Sequence, residues 1–175
     1  MGLAKPNRGA GRDNRSSATS RAGKGKGRGG GGKVNGTLRF EFASDFDAGC
    51  DVQKQILKEV ERQGFNPNSL FATRLALEEA LVNAIKHGNK LDPKKRVIVE
   101  AKVSAQRVEI EIEDQGPGFD RSSVPDPTAE ENLCKCSGRG ILLIEAYMNS
   151  VSWSHGGRRV RMVRYNQPHE LPERT

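Results

Sequence analysis

Apolar residues alternate with charged neighbours in TLRFEF, where Leu38, Phe40 and Phe42 share one side. That period of two predicts a half-buried strand. The spacing then lengthens. Val52, Ile56, Leu57 and Val60 fall on one side of a helix expected from about Phe46 to Gln63, which Gly64 ends. NPNS opens a second helix, with Asn66 or Asn68 as N-cap and Pro67 near its first turn. It is expected to run to about His87, where Gly88 closes it. Two strands follow, RVIVEAKV and RVEIEIED, joined by SAQ. In the second, Val108, Ile110 and Ile112 alternate with Glu109, Glu111 and Glu113, which implies one buried and one wetted face. Residues 119–137 are polar, contain Pro and show no period, so they read as a long loop. GRGILLIEAYM is a helix opened by glycines, and VSWSHGGRRVRMVRY a hairpin turning on Gly156-Gly157. The order β-α-α-β-β-loop-α-β-β predicts an α+β two-layer sandwich: an antiparallel or mixed sheet covered on one face by helices.

Composition alters this picture mainly at the ends. Residues 1–35 hold nine Lys/Arg against the single acid Asp13, while residues 36–175 hold twenty Lys/Arg and twenty-one Asp/Glu. The net charge of +7 therefore belongs to the first segment. That segment also has ten of the twenty glycines and no aromatic residue, too little apolar surface to offset backbone ordering. It is expected to be a disordered basic tail, followed by a domain over 36–168 and a short tail over 169–175. The tail is either simply solvated or weakly attracted to nucleic acid, though it lacks aromatics to stack on bases. No apolar run approaches the ~18 residues of a membrane span. Three Cys and no apolar leader suit a reducing, cytoplasmic setting.

Three polar features stand out. Glu79, Asn83, Lys86 and Lys90 lie within an arc of about 60° on the second helix, opposite Leu77, Leu81 and Ala84. Such a row is either a wet ladder of charges or a working surface, and Asn has no evident task on an open helix. Asp114 ends an acidic strand and precedes Gly116-Pro117-Gly118. It can cap its own turn, or accept a hydrogen bond from an exocyclic amine such as adenine N6. Gly138 and Gly140 open a helix, where unpaired N–H groups favour phosphate. The pattern is neither a Walker loop nor a dinucleotide fingerprint.

Taken together, Glu-x-x-x-Asn on a helix, Asp-x-Gly-x-Gly after a strand and Gly-x-Gly opening a helix resemble the GHKL ATP-binding fold over roughly residues 36–165. EEALVNAIKHGN and DQGPGFD look most like the bacterial anti-sigma-factor serine kinases of the SpoIIAB/RsbW type. The resemblance implies that Asn83 is the Mg²⁺ ligand and that Glu79, not Glu78, is the general base. Asp114 would read adenine while Gly116 and Gly118 let the backbone pass the base. Gly138 and Gly140 would meet the ATP phosphates, and 119–137 would form the lid. Lys86 either neutralises phosphate or is a surface lysine; His87 bounds the phosphates or caps its helix. Cys136 stands where the sporulation members carry a basic residue, with Lys135 and Arg139 beside it as candidate substitutes. Cys134 and Cys136 do not make a zinc set. The implied function is a Mg·ATP-dependent serine/threonine protein kinase and anti-sigma factor. It would be a homodimer whose partners are a sigma factor and a STAS-domain antagonist. The alternative is an ATP-gated regulatory binding module with little phosphotransfer.

Overall fold

The computed structural model describes residues 30–34, 37–120 and 139–166. Six strands form one sheet: β1 (Gly30–Val34), β2 (Thr37–Ala43), β3 (Arg96–Val103), β4 (Arg107–Asp114), β5 (Ser150–Ser154) and β6 (Arg159–Tyr165). Their order is β1-β2-β3-β4-β6-β5, and every neighbouring pair is antiparallel. Of the two expected sheet types, the antiparallel one is realised. Short connections join β1 to β2, β3 to β4 and β5 to β6, whereas two long helices bridge β2 to β3 and residues 115–149 separate β4 from β5.

One boundary moves. Gly30–Val34, placed by composition in a disordered tail, is an edge strand paired from Gly30↔Glu41 to Val34↔Thr37. Strand pairing uses backbone donors and acceptors, so glycines join a sheet without the side-chain burial that composition measures. Residues 1–29 and 167–175 lie outside the described residues.

Helix α1 (Phe46–Arg62) starts at Asp45, whose carboxylate accepts the Ala48 N–H at 2.9 Å. Helix α2 (Pro67–Val82) starts at Asn66, not Asn68; the Asn66 side chain accepts from the Ser69 N–H at 2.9 Å, with Pro67 in the first turn. Val52, Ile56, Leu57 and Val60 of α1 and Ala72, Ala76, Leu77, Ala80 and Leu81 of α2 are buried. They cover Phe40, Phe42, Val97, Val99, Ala101, Val108, Ile110, Ile112, Val160 and Met162 of the sheet. Each large aliphatic side chain so buried contributes about 1.5–3 kcal/mol. Helix α3 (Arg139–Tyr147) completes the layer. At its C-terminal end the buried Arg164 of β6 donates to the Tyr147 carbonyl at 3.0 Å, a cation placed where the helix dipole favours one.

The continuous helix expected to His87 changes character at Asn83. Residues Asn83–Gly88 form a wider π turn, in which the Asn89 N–H bonds the Ala84 carbonyl at 2.8 Å. Such turns often occur at functional sites. Lys90 and Leu91 then leave the helix with φ of 59°. Lys90 therefore reaches the polar side by a turn and not by helical period.

The sheet face turned away from the helices is a lattice of ion pairs. Glu109, Glu111 and Glu113 of β4 stand beside Arg159 and Arg161 of β6. Arg161 Nη2 is 2.9 Å from Glu109, Arg159 Nη2 2.6 Å from Glu113, and His155 Nδ1 2.8 Å from Glu113. Arg39 meets Glu100 at 3.0 Å. The Arg159 guanidinium, hydrogen-bonded to Glu113, holds that carboxyl below the usual range.

Candidate nucleotide site

Between α2, α3 and the ends of β4, β6 and β5 lies a cavity of about 680 Å³. Glu79, Asn83, Lys86, His87, Asp114, Gly118, Arg139 and Gly140 line it. Residues more than sixty apart in sequence thus share one wall. Gly116 is buried behind that wall, against the Gly88 carbonyl. Lys135 and Gly138 lie outside the described residues, as do Cys134, Cys136 and most of the expected lid.

Glu79 of α2 and Asn83, which caps α2 and opens the π turn, stand one turn apart. Glu78 is exposed and absent from the cavity wall. The Nδ2 of Asn83 is buried and has no hydrogen-bond partner among the described residues. Buried polar atoms are almost always paired, so this amide is suited to a partner from outside the chain. Amide oxygen and nitrogen exchange by a half-turn, so the same group can present its oxygen to a cation. Among the described residues no three His, Cys, Asp or Glu cluster as a metal-binding group. A single carboxamide is the kind of donor Mg²⁺ accepts when water and phosphate fill its other positions. The residues present therefore fit Mg²⁺ with a phosphorylated ligand.

Gly140 brings α3 against this pair. A Cβ there would lie 2.6 Å from Glu79 Oε2 and 3.6 Å from both polar atoms of the Asn83 amide. Without one, the first turn of α3 stays open to an anion beside Glu79.

Asp114 stands at the other end. Its Oδ1 accepts the Gly116 N–H at 2.7 Å, so it does cap its own turn. The side chain is half-buried, and burial pushes its carboxyl above the usual range despite the Gly116 N–H, Arg158 and Lys95. A Cβ on Gly88 would fall 2.5 Å from both carboxylate oxygens, so the π turn packs backbone directly against this acid. On His87, burial and then Lys86 and Lys90 lower the imidazole, favouring the neutral ring at neutral pH.

Sequence reading missed Asn89, which is fully buried. Its Nδ2 donates to Ser44 Oγ at 2.7 Å and to the Arg96 carbonyl at 2.9 Å. Its Oδ1 accepts the Gln115 N–H at 2.8 Å. Asn89 thereby joins the end of the π turn to the loop that carries Asp114. Its only sequence signal was a polar residue just after a helix-ending glycine. Phe119, Trp153 and Arg158 also line the cavity and were not among the expected site residues.

An antiparallel sheet with three helices on one face, and a cavity between the second and third of them, is the architecture of the GHKL ATPase class. Residues 51–164 match the family model described as the histidine kinase-like ATPase domain, and the chain belongs to that family. It is similar to the anti-sigma F factor of Clostridium perfringens, 35% identical over 81 residues, or 45% of this chain and 57% of that protein. It is also similar to the serine-protein kinase RsbW of Listeria monocytogenes, 25% identical over 119 residues, or 64% of this chain and 76% of that one. The chain thus spans a little over half the length of the first relative. A crystal structure of the RsbU and RsbW domains of a Mycobacterium tuberculosis protein shares the fold at a TM-score of 0.51 and 18% identity, over 74% of this chain and 31% of that one.

Proposed function

We propose that this chain is a Mg·ATP-dependent serine/threonine protein kinase that also serves as an anti-sigma factor. Its substrate would be the hydroxyl of a STAS-type antagonist, and its second partner a sigma factor. Relatives named anti-sigma F factor and serine-protein kinase RsbW support the reading. The observation that carries it is Asn83, a buried amide with no partner among the described residues, one turn from a carboxylate on the same cavity wall.

When bound, Mg·ATP supplies the transferable phosphoryl group and the cation that neutralises its charge. In this proposal Asn83 holds the cation through its amide oxygen, and Lys86 adds positive charge beside the phosphates. Glu79 accepts the proton of the attacking hydroxyl, a role worth about 10²–10⁴ in rate. Asp114 accepts a hydrogen bond from the exocyclic amine of the base. The open first turn of α3 donates backbone N–H groups to phosphate oxygen. Among the described residues no helix is long and apolar enough to cross a membrane. The likeness to an anti-sigma F factor and to RsbW supports a cytoplasmic setting in this proposal.

The test is phosphotransfer to a purified STAS partner with Mg·ATP, alongside calorimetric nucleotide affinity. Glu79→Ala is expected to abolish transfer while affinity stays within a few-fold. Transfer at the native rate by Glu79→Ala would remove the base assignment. Tight nucleotide binding by the native chain without transfer to any captured partner would leave the ATP-gated binding module.

A further inference from the structure

At the Asp114 end, the cavity floor is a row of side chains crossing three strands. Ile112 of β4 is paired with Val160 of β6, which is paired with Trp153 of β5. All three line the cavity. Neighbouring strands lie about 4.8 Å apart, so the row spans roughly 10 Å of apolar surface. Asp114 sits two residues beyond Ile112 on the same side of β4. At the far end, Phe119 meets Trp153 edge to face, with ring centroids 5.0 Å apart and planes at 76°. Phe119 is held there by its N–H, which donates to the Gly156 carbonyl at 3.0 Å.

Trp153 carries an anomaly. Its Nε1 is buried and has no hydrogen-bond partner among the described residues. A buried indole N–H normally finds an acceptor, and it can only donate. The floor thus has an acceptor at one end, Asp114, and at the other an indole ring whose buried N–H is unused within the described residues. Adenine has the matching outline: a flat apolar face, an amine that donates and ring nitrogens that accept. A triphosphate alone has no use for either feature.

Resting on the nucleotide-binding reading above, we infer that Trp153 is a base-specificity residue. Its ring extends the apolar floor beneath a purine, and its Nε1–H donates to a purine ring nitrogen away from the amine that Asp114 reads. Specificity then comes from two groups on different strands, β4 and β5, whose separation the sheet fixes.

Trp153→Phe keeps an aromatic floor and removes the donor. In the full-length chain, Mg·ATP affinity should fall about three- to tenfold, as for loss of one hydrogen bond. Affinity for Mg·tripolyphosphate and thermal stability should not change. Of 3-deaza-ATP and 7-deaza-ATP, one should bind the native chain more weakly by that same factor and show no further loss in Trp153→Phe. Since the chain has one tryptophan, its emission should respond saturably to ATP and not to tripolyphosphate. Native-like ATP affinity in Trp153→Phe, or equal losses for ATP and tripolyphosphate, would overturn the assignment. In the first case an enclosed water is the donor's partner; in the second the ring is merely structural. If the native chain binds no adenine nucleotide, the proposed function falls with it, whereas ATP binding indifferent to the indole sinks only this inference.

Discussion

The two faces of the sheet treat charge in opposite ways. On the face turned from the helices, Glu109 and Glu113 each meet an arginine within 3 Å. On the cavity side, Glu79 and Lys86 make no ion pair among the described residues, the Asn83 amide nitrogen is unpartnered, and burial makes Asp114 harder to ionise. The first arrangement is complete within the chain. The second is complete only with something added, and that difference separates a site from a surface more clearly than residue type does.

The sharpest way to break the contrast is Gly140→Ala. The new Cβ meets the end of a flexible carboxylate, Glu79, so the fold should accommodate it by moving that carboxylate. Phosphotransfer is expected to drop about 100-fold, the cost of misplacing a reacting group by roughly an ångström, with the melting temperature unchanged. Rate assays paired with thermal denaturation check both halves. Asn83→Ala comes next. Mg-dependent nucleotide affinity should weaken at least about tenfold. Stability should hold within about 1 kcal/mol, because the lost amide nitrogen had no protein partner. Equal affinity with and without Mg²⁺ in both proteins would remove the ligand role.

Acid should separate the faces in order. Asp114, with its folded pKa raised by burial, takes up a proton above the usual carboxylate range, and protonation there stabilises the fold relative to its ionised state. Glu113, with its folded pKa depressed chiefly by Arg159, contributes stability present above its unfolded pKa and lost only as pH falls through the lower folded value. As pH is lowered, ATP affinity should therefore decline before stability does; calorimetry and denaturation across one buffer series would show the reverse order if the assignment is wrong. The smallest effect belongs to Glu109→Gln on the paired face. It should cost about 1 kcal/mol and leave nucleotide affinity unchanged.

Much of this was legible in the sequence for a physical reason. Period-two and period-3.6 patterns record burial directly, so β4 and both long helices appeared close to their observed bounds. Glu79 and Asn83 were readable because one helical turn separates them. Asp114 and Gly140 stood out locally, but their membership of one site was readable only through resemblance to a known pattern, since nothing local says that a strand end and a helix start will face each other. Three things stayed hidden. The strand Gly30–Val34 carries no side-chain signal. The π turn depends on how Asn83–Gly88 packs against Asp114, a contact 26 residues away between Gly88 and Asp114. Trp153 lay in the expected hairpin, but its orphaned nitrogen exists only once β5, β6 and the Phe119 loop are assembled.

Asn89 carries a last consequence. One side-chain amide bonds to segments 45, 7 and 26 residues away in the chain. All three bonds are made together only when the ends of β2 and β3, the π turn and the Asp114 loop have met. The cavity therefore has no half-made version. A fragment retaining α2 but lacking β3 and β4 should show no residual grip on a ligand, and native-state hydrogen exchange at Gln115 and at Asn89 should report one common opening event.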